Sequence, residues 1–155
     1  MATSPMVSIV LGSKSDEAHL EHTTALLDRL GVTWELRVIS AHRQPEKLHE
    51  HVRAADAAGV KVYIAAAGLS AALPGVVGSL SSRPVIGIPI PGGALQGIDA
   101  LLSIAQMPGG IPVATVGVGS NGAKNAAVLA AQILALADVS IAAKLAAYRE
   151  ELRNG

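Results

Sequence analysis

The feature that most limits the fold is a set of short, largely apolar runs that alternate with longer segments of helical character. The runs cover residues 7–11, 34–39, 60–66, 84–88 and 112–116. A strand that is apolar throughout is buried on both faces, which is typical of a parallel sheet covered by helices on both sides. With right-handed crossovers, this alternation predicts the α/β class and a three-layer αβα sandwich.

Helices are predicted between the strands and after the last of them. The first carries an apolar stripe that includes Leu20, Leu27 and Leu30 and ends at Gly31, a residue that favours helix C-termini. A small-residue helix follows the loop at 68–75, and the other helices are predicted at 46–58, 94–104, 123–137 and 139–152. Without a linker or repeat, the 155 residues predict one α/β domain over 1–155, with 139–152 as its C-terminal helix.

Composition excludes several classes of function. Twelve basic and twelve acidic residues, with no basic cluster, give no electrostatic basis for binding nucleic acid. The absence of cysteine excludes disulfide scaffolds, thiolate zinc sites and cysteine nucleophiles. No apolar stretch approaches the ~20 residues of a membrane helix, and residues 1–6 lack the basic region of a signal peptide. We therefore expect a cytoplasmic protein that uses neither nucleic acid nor membrane as a partner.

The apolar residues are unusually small. The chain has 28 alanines, no phenylalanine, and only Trp34, Tyr63 and Tyr148 as aromatic residues. Small side chains bury less apolar area per residue than a core rich in Leu and Phe, so burial between subunits is a natural supplement. The strongly apolar helix at 123–137 is the expected contributor, and we predict a homo-oligomer.

Ligands of open α/β sheets bind in the crevice at the carboxyl ends of the strands. The loops at those ends are 12–16, 40–45, 67–74, 89–93 and 117–121. Chemistry-bearing residues are therefore sought in these loops first.

The first loop, GSKSD at 12–16, brings Ser13, Ser15 and Asp16 to the start of a predicted helix. Unpaired N–H groups and the helix dipole favour an anion such as phosphate there, and Asp16 can accept from ribose hydroxyls. An N-cap with local turn bonds explains the same residues equally well. The spacing of a P-loop is absent.

The second loop places Ser40, His42 and Arg43 directly after a strand. Imidazole suits proton transfer near neutral pH, and guanidinium binds phosphate through two parallel hydrogen bonds. A His-Arg pair is often ordinary surface chemistry, but its position beside the first loop favours a functional site. The remaining histidines show no metal-ligand spacing and are interpreted as solvated helix residues; they are His19, His22, His49 and His51.

Ordered motifs along nearly the whole chain resemble one family. They are GSKSD at 12–16, SAHR at 40–43 with Pro45, LPG at 73–75, SI at 103–104, QMP at 106–108, GIPVAT at 110–115, NAA at 125–127 and QIL at 132–134. In these motifs the chain resembles the 5-(carboxyamino)imidazole ribonucleotide mutase family of purine biosynthesis, the PurE type of bacterial class I.

This resemblance implies a homo-octamer of flavodoxin-like subunits that needs no cofactor or metal. The activity it implies moves a carboxylate from the exocyclic nitrogen of aminoimidazole ribonucleotide to a ring carbon, by release and recapture of carbon dioxide. His42 would be the catalytic proton shuttle. The residues assigned to binding of the nucleotide monophosphate substrate are Ser13, Ser15, Asp16, Ser40, Arg43, Gly68, Ser70, Ala72 and Leu73.

The chain departs from the family pattern in the loop after the third strand. Ala72 stands where the family has a second active-site histidine, and Leu69 and Ser70 replace small residues. Glu17, Gln44 and the glycine-rich loop at 89–93 differ too. Three hypotheses follow: an active mutase, either ordinary or a specialised paralogue; a lyase that carboxylates or decarboxylates a related nucleotide; and a non-catalytic nucleotide-binding module. Retention of His42 argues against the third.

Overall fold

A single five-stranded parallel sheet forms the centre of the chain. The computed structural model describes residues 4–155. The strands are β1 (Val7–Leu11), β2 (Trp34–Val38), β3 (Val62–Ala67), β4 (Val85–Pro89) and β5 (Ala114–Thr115). Their order in the sheet is β2-β1-β3-β4-β5, and all neighbours pair in parallel. This is the flavodoxin-like order, so the predicted α/β class and sheet are confirmed.

Helices connect the strands and close the chain. A 3-10 helix at Lys14–Leu20 leads directly into the first α-helix. The α-helices are α1 (Glu21–Leu30), α2 (Pro45–Ala58), α3 (Leu73–Leu80), α4 (Ile98–Ala105), α5 (Ser120–Ala135) and α6 (Val139–Asn154). Gly31 ends α1 with a left-handed φ of 73°, as the sequence predicts.

Each face of the sheet buries its own apolar cluster. On one face, alternate strand residues such as Ile9 and Ile64 pack with α1, α5 and α6. On the other, residues such as Val10 and Ala65 pack with α2, α3 and α4. Alternation along a strand sends successive side chains to opposite faces, so both faces of β1 are fully buried. The three-layer sandwich is confirmed, and this packing on both faces holds the carboxyl ends of the strands at one edge of the sheet.

Most elements differ from their predicted bounds by one to three residues, and helix α3 begins at Leu73, inside the predicted loop at 68–75. Two further differences have a clear physical cause. Helix α4 begins at Ile98 rather than at 94, because the chain first makes a turn whose last residue, Gly97, has a φ of 91°. Strand β5 spans two residues instead of five. It lies at the sheet edge, and Pro112 has no N–H to donate to the ladder.

The prediction that His51 is solvated is wrong. Its side chain is 11% exposed, and its Nε2 lies 2.9 Å from the Oγ of the fully buried Ser8. Ser8 in turn donates to Glu35 Oε1 at 3.1 Å, so His51 Nε2–H is the consistent donor to Ser8. Burial lowers the pKa of His51 although Glu35 opposes the effect, and the neutral ring is favoured. The other three histidines interpreted as solvated, His19, His22 and His49, are exposed as predicted.

The small-residue face of α5 is used within the chain. Ala123, Ala126 and Ala130 are buried against the sheet and the neighbouring helices. Close packing of α5 within the chain therefore accounts for part of the alanine content. None of the helices within residues 4–155 is both long enough and apolar enough to cross a membrane. A single domain over 1–155 stays a prediction, and its first three residues lie outside those described.

Candidate functional site

An open cavity of about 730 Å³ lies at the carboxyl ends of the strands. The loops after β1, β2, β3 and β4 line it, so it sits where the order of the strands reverses between β1 and β3. Open α/β sheets bind ligands at this point, and the volume is typical of a small-molecule pocket. This cavity is the candidate active site.

All ten residues singled out in the sequence line this one cavity. Three strand-end loops, far apart in the chain, bring them together. They are Ser13, Ser15, Asp16, Ser40, His42, Arg43, Gly68, Ser70, Ala72 and Leu73.

The loop after β1 forms a small hydroxyl and carboxylate cluster. The Oγ atoms of Ser13 and Ser15 lie 2.8 Å apart, and Ser15 Oγ donates to Asp16 Oδ1 at 3.2 Å. The Asp16 N–H donates to the Ser13 carbonyl at 3.1 Å, which closes the turn into the 3-10 helix. Ser13 also caps this helix, since its Oγ accepts from the Ser15 N–H at 3.4 Å. Capping and cavity lining thus coexist in the same residues.

The loop after β2 presents His42 and Arg43 on an exposed turn. The Gln44 N–H donates to the Ser40 carbonyl at 2.9 Å and closes this turn, and Pro45 then starts α2. Ser40 Oγ accepts from the Arg43 N–H at 3.3 Å and from Arg43 Nε at 3.4 Å. Ser40 therefore orients the guanidinium at the cavity.

Arg43 supplies the positive charge among the cavity-lining residues and Asp16 the negative. Within residues 4–155, the ion pairs involve Arg29, Arg37, His51 and Arg153, and none engages Arg43. An exposed guanidinium without a carboxylate partner is available for an anionic ligand.

The opposite wall is apolar. Leu73 is buried at the start of α3, and Ala72 lines the cavity just before it. Gly68 lies against the loop after β4, because a Cβ there would come within 3.4 Å of the Ile90 carbonyl oxygen. The cavity thus has a polar side formed by the first two loops and a largely apolar side formed by the other two, to which Ser70 adds one hydroxyl.

The sequence assignment missed the loop after β4. Ile90, Pro91, Gly92 and Gly93 line the apolar side, although none was among the assigned residues. These residues could have been identified from their position alone, because their loop follows β4, the strand next to β3. The loop at 117–121 lies outside the cavity because β5 is at the sheet edge.

Most of the departures from the family pattern lie at the cavity. Leu69, Ser70, Ala72 and the two glycines of the β4 loop all line it, whereas Glu17 and Gln44 do not. Within the described chain, no three His, Cys, Asp or Glu side chains lie close enough together to hold a metal ion. That the site works without metal or cofactor stays a prediction.

Comparisons with known proteins agree with this arrangement. A family model described as AIR carboxylase matches residues 6–155. A Pyrococcus abyssi protein named N5-carboxyaminoimidazole ribonucleotide mutase is 51% identical over 150 residues, covering 97% of this chain and 85% of the relative. The Bacillus subtilis protein of that name is 48% identical over 150 residues, covering 97% and 93%. The crystal structure of Treponema denticola PurE matches with a TM-score of 0.89 and 35% identity, over 97% of this chain and 92% of the other.

Proposed function

The chain belongs to the AIR carboxylase family, and we propose that it isomerises N5-carboxyaminoimidazole ribonucleotide in purine biosynthesis. The product carries the same carboxylate on a carbon of the imidazole ring. One observation carries this proposal: His42 and Arg43 share a cavity with the serines and Asp16 of the first loop. That set provides a proton shuttle, a phosphate ligand and ribose ligands in a single site.

The polar side of the cavity suits the ribose phosphate. The Arg43 guanidinium, already oriented by Ser40, pairs with phosphate oxygens, and the hydroxyls of Ser13 and Ser15 donate to them. Asp16 accepts from ribose hydroxyls. This placement leaves the base directed to the apolar side, near Ala72 and Leu73.

His42 moves the proton in the proposed reaction. The imidazolium of His42 protonates the carbamate nitrogen, the N–C bond breaks, and carbon dioxide and aminoimidazole ribonucleotide result. The nucleophilic ring carbon then forms a C–C bond to carbon dioxide, and the proton displaced from that carbon returns to His42. Atoms and protons balance with no other reactant. Because imidazole titrates near neutral pH, one histidine can act first as acid and then as base.

Because position 72 is an alanine, both proton transfers in the proposed reaction fall to His42. It lines the cavity where the resemblance places a second histidine, and His42 is the one imidazole among the described lining residues. The proposal therefore covers an ordinary mutase or a specialised paralogue whose pocket is adapted to a methyl group at this position.

Incubation with N5-carboxyaminoimidazole ribonucleotide tests the proposal when isomerised product and free carbon dioxide are followed together. We expect product formation well above the rate in buffer alone. Carbon dioxide release without isomerisation would instead identify a lyase. Tight binding of aminoimidazole ribonucleotide with neither reaction would identify a binding module.

We also propose a homo-octamer that works in the cytoplasm, where a charged nucleotide intermediate is retained. An exposed apolar row supports assembly: Leu95, Ile98 and Leu102 lie on one side of α4 and its preceding turn, each more than half exposed. Large apolar side chains grouped on a surface favour a subunit contact.

Light scattering at micromolar concentration measures the assembly directly. We expect the mass of eight chains for the wild type. An Ile98→Asp substitution places a charge in the apolar row and should shift the mass toward smaller species. Leu152→Asp is a matched control, because Leu152 is 65% exposed near the end of α6 and has no other exposed large apolar residue close to it in the sequence. A wild-type mass of one chain would contradict the proposal.

A further inference from the structure

Two residues other than glycine have a positive φ within residues 4–155, and both belong to the loops on the apolar side of the cavity. They are Leu69 in the loop after β3 and Gln96 in the turn before α4, each with a φ of 53°. Residues with a side chain rarely adopt this conformation because Cβ is crowded against the backbone. Such strain persists where the surrounding structure imposes it, commonly at functional sites.

Both strained residues converge on Gly93. The Leu69 side chain occupies the space directly over Gly93, since a Cβ added there would lie 2.6 Å from Leu69 Cδ2. Gln96 bonds to the same residue, because its N–H and its Nε2 donate to the Gly93 carbonyl at 3.4 and 3.3 Å. Gly93 itself has a φ of 66°, which suits glycine.

The loops after β3 and β4 are also joined near their bases. The Ile90 N–H donates to the Ala67 carbonyl at 2.9 Å, which continues the strand pairing beyond the sheet. Gly68 then lies against Ile90, and Leu69 reaches Gly93. The two loops therefore form one continuous wall, and Leu69 bridges its outer part.

The stability of the fold does not explain why a leucine stands at position 69. Its side chain is 58% exposed, so it gains little from burial, while its backbone is strained. It also lines the cavity, in the loop after β3, whereas Arg43 lies in the loop after β2, on the other side of β1. Because Leu69 is strained, exposed and part of the cavity lining, we look to the ligand cavity for its role.

We propose that Leu69 is a positioning residue that confines carbon dioxide between its release and its recapture. This inference rests on the proposed mutase activity. When nucleotide fills the polar side, the Leu69 side chain and the loop at Gly93 cover the apolar side, where carbon dioxide is formed. The wall keeps the gas beside the ring carbon and keeps water away from it, which favours recapture over escape.

Isotope exchange during turnover measures this confinement. Unlabelled N5-carboxyaminoimidazole ribonucleotide is converted in the presence of ¹³C-labelled carbon dioxide and bicarbonate. Two quantities are measured for each variant: the label in the product carboxylate and the amount of free aminoimidazole ribonucleotide released. We expect little of either for the wild type and a severalfold rise in both for Leu69→Ala. Leu69→Met replaces the branched side chain by an unbranched apolar chain of similar reach and should keep most of the coupling. Leu152→Ala is the matched control, because Leu152 is 65% exposed on α6 and outside the cavity.

A second measurement separates confinement from backbone strain. Leu69→Gly removes the strain as well as the side chain, so it should melt at a higher temperature than Leu69→Ala and yet exchange as much label. Wild-type exchange in Leu69→Ala, with isomerisation intact, would overturn the role of Leu69 and leave the mutase activity standing. Absence of isomerisation in the wild type would overturn the mutase activity, and the confinement role with it.

Discussion

The His42→Asn variant is expected to lose about 100- to 10,000-fold in kcat on N5-carboxyaminoimidazole ribonucleotide, the range for removing a general acid and base. Asparagine keeps the approximate size and one polar end of the ring but carries no titratable proton. Since His42 is the one imidazole among the described cavity-lining residues, no second histidine there takes over either transfer. Affinity for aminoimidazole ribonucleotide should change little, because the phosphate and ribose ligands are untouched.

His49→Asn is the matched control for this experiment. His49 lies exposed on α2, seven residues further along, and outside the cavity. It should keep the wild-type kcat. Equal rates for His42→Asn and the wild type, both above the rate in buffer, would remove His42 from the mechanism.

The Arg43→Ala variant is expected to bind aminoimidazole ribonucleotide roughly 10- to 100-fold more weakly. A hydrogen-bonded pair with a charged group contributes about 1.5–3 kcal/mol, which converts to that range. Because Arg43 lies on an exposed turn, added salt should reduce the difference between variant and wild type. Titration calorimetry at low and high salt measures both effects.

Two further variants sharpen the Arg43 experiment. Arg43→Lys keeps the charge but loses the planar fork, so its affinity should fall between those of wild type and Arg43→Ala. Arg53→Ala removes an exposed guanidinium of α2 that lies outside the cavity, and it should bind normally. If Arg43→Ala binds as tightly as wild type, the phosphate is held elsewhere.

The centre of the sheet was predictable because β1, β3 and β4 are largely apolar and buried on both faces, and they end at marked turns. Strand β1 was predicted to the residue, and the left-handed Gly31 ends α1 as expected. Failures occurred where long-range contacts decide the outcome. Strand β5 is shortened by its place at the sheet edge, and His51 is covered by Ser8 and Glu35 from two other elements.

The polar side of the candidate site was predictable because its residues are chemically distinctive and follow strands. The apolar side was only partly predictable. Ile90 and Gly93 carry no chemistry of their own, and their role depends on β4 pairing with β3. The positive φ of Leu69 was hidden as well, because leucine is not a residue whose presence indicates a left-handed backbone.

All residues that line the cavity come from the first 93 positions of the chain, and this separation bears on how the sequence evolves. Four loops at one end of the sheet line the cavity, while β5, α5 and α6 contribute none of the lining residues. Substitutions at lining positions outside the two buried clusters, such as the alanine at position 72, leave the packing beneath them unchanged. New substrate preferences can therefore be selected in the first ninety or so residues, while the residues after them are constrained by packing and by the proposed subunit contact at Leu95, Ile98 and Leu102. The two parts of the gene then accumulate change under separate pressures.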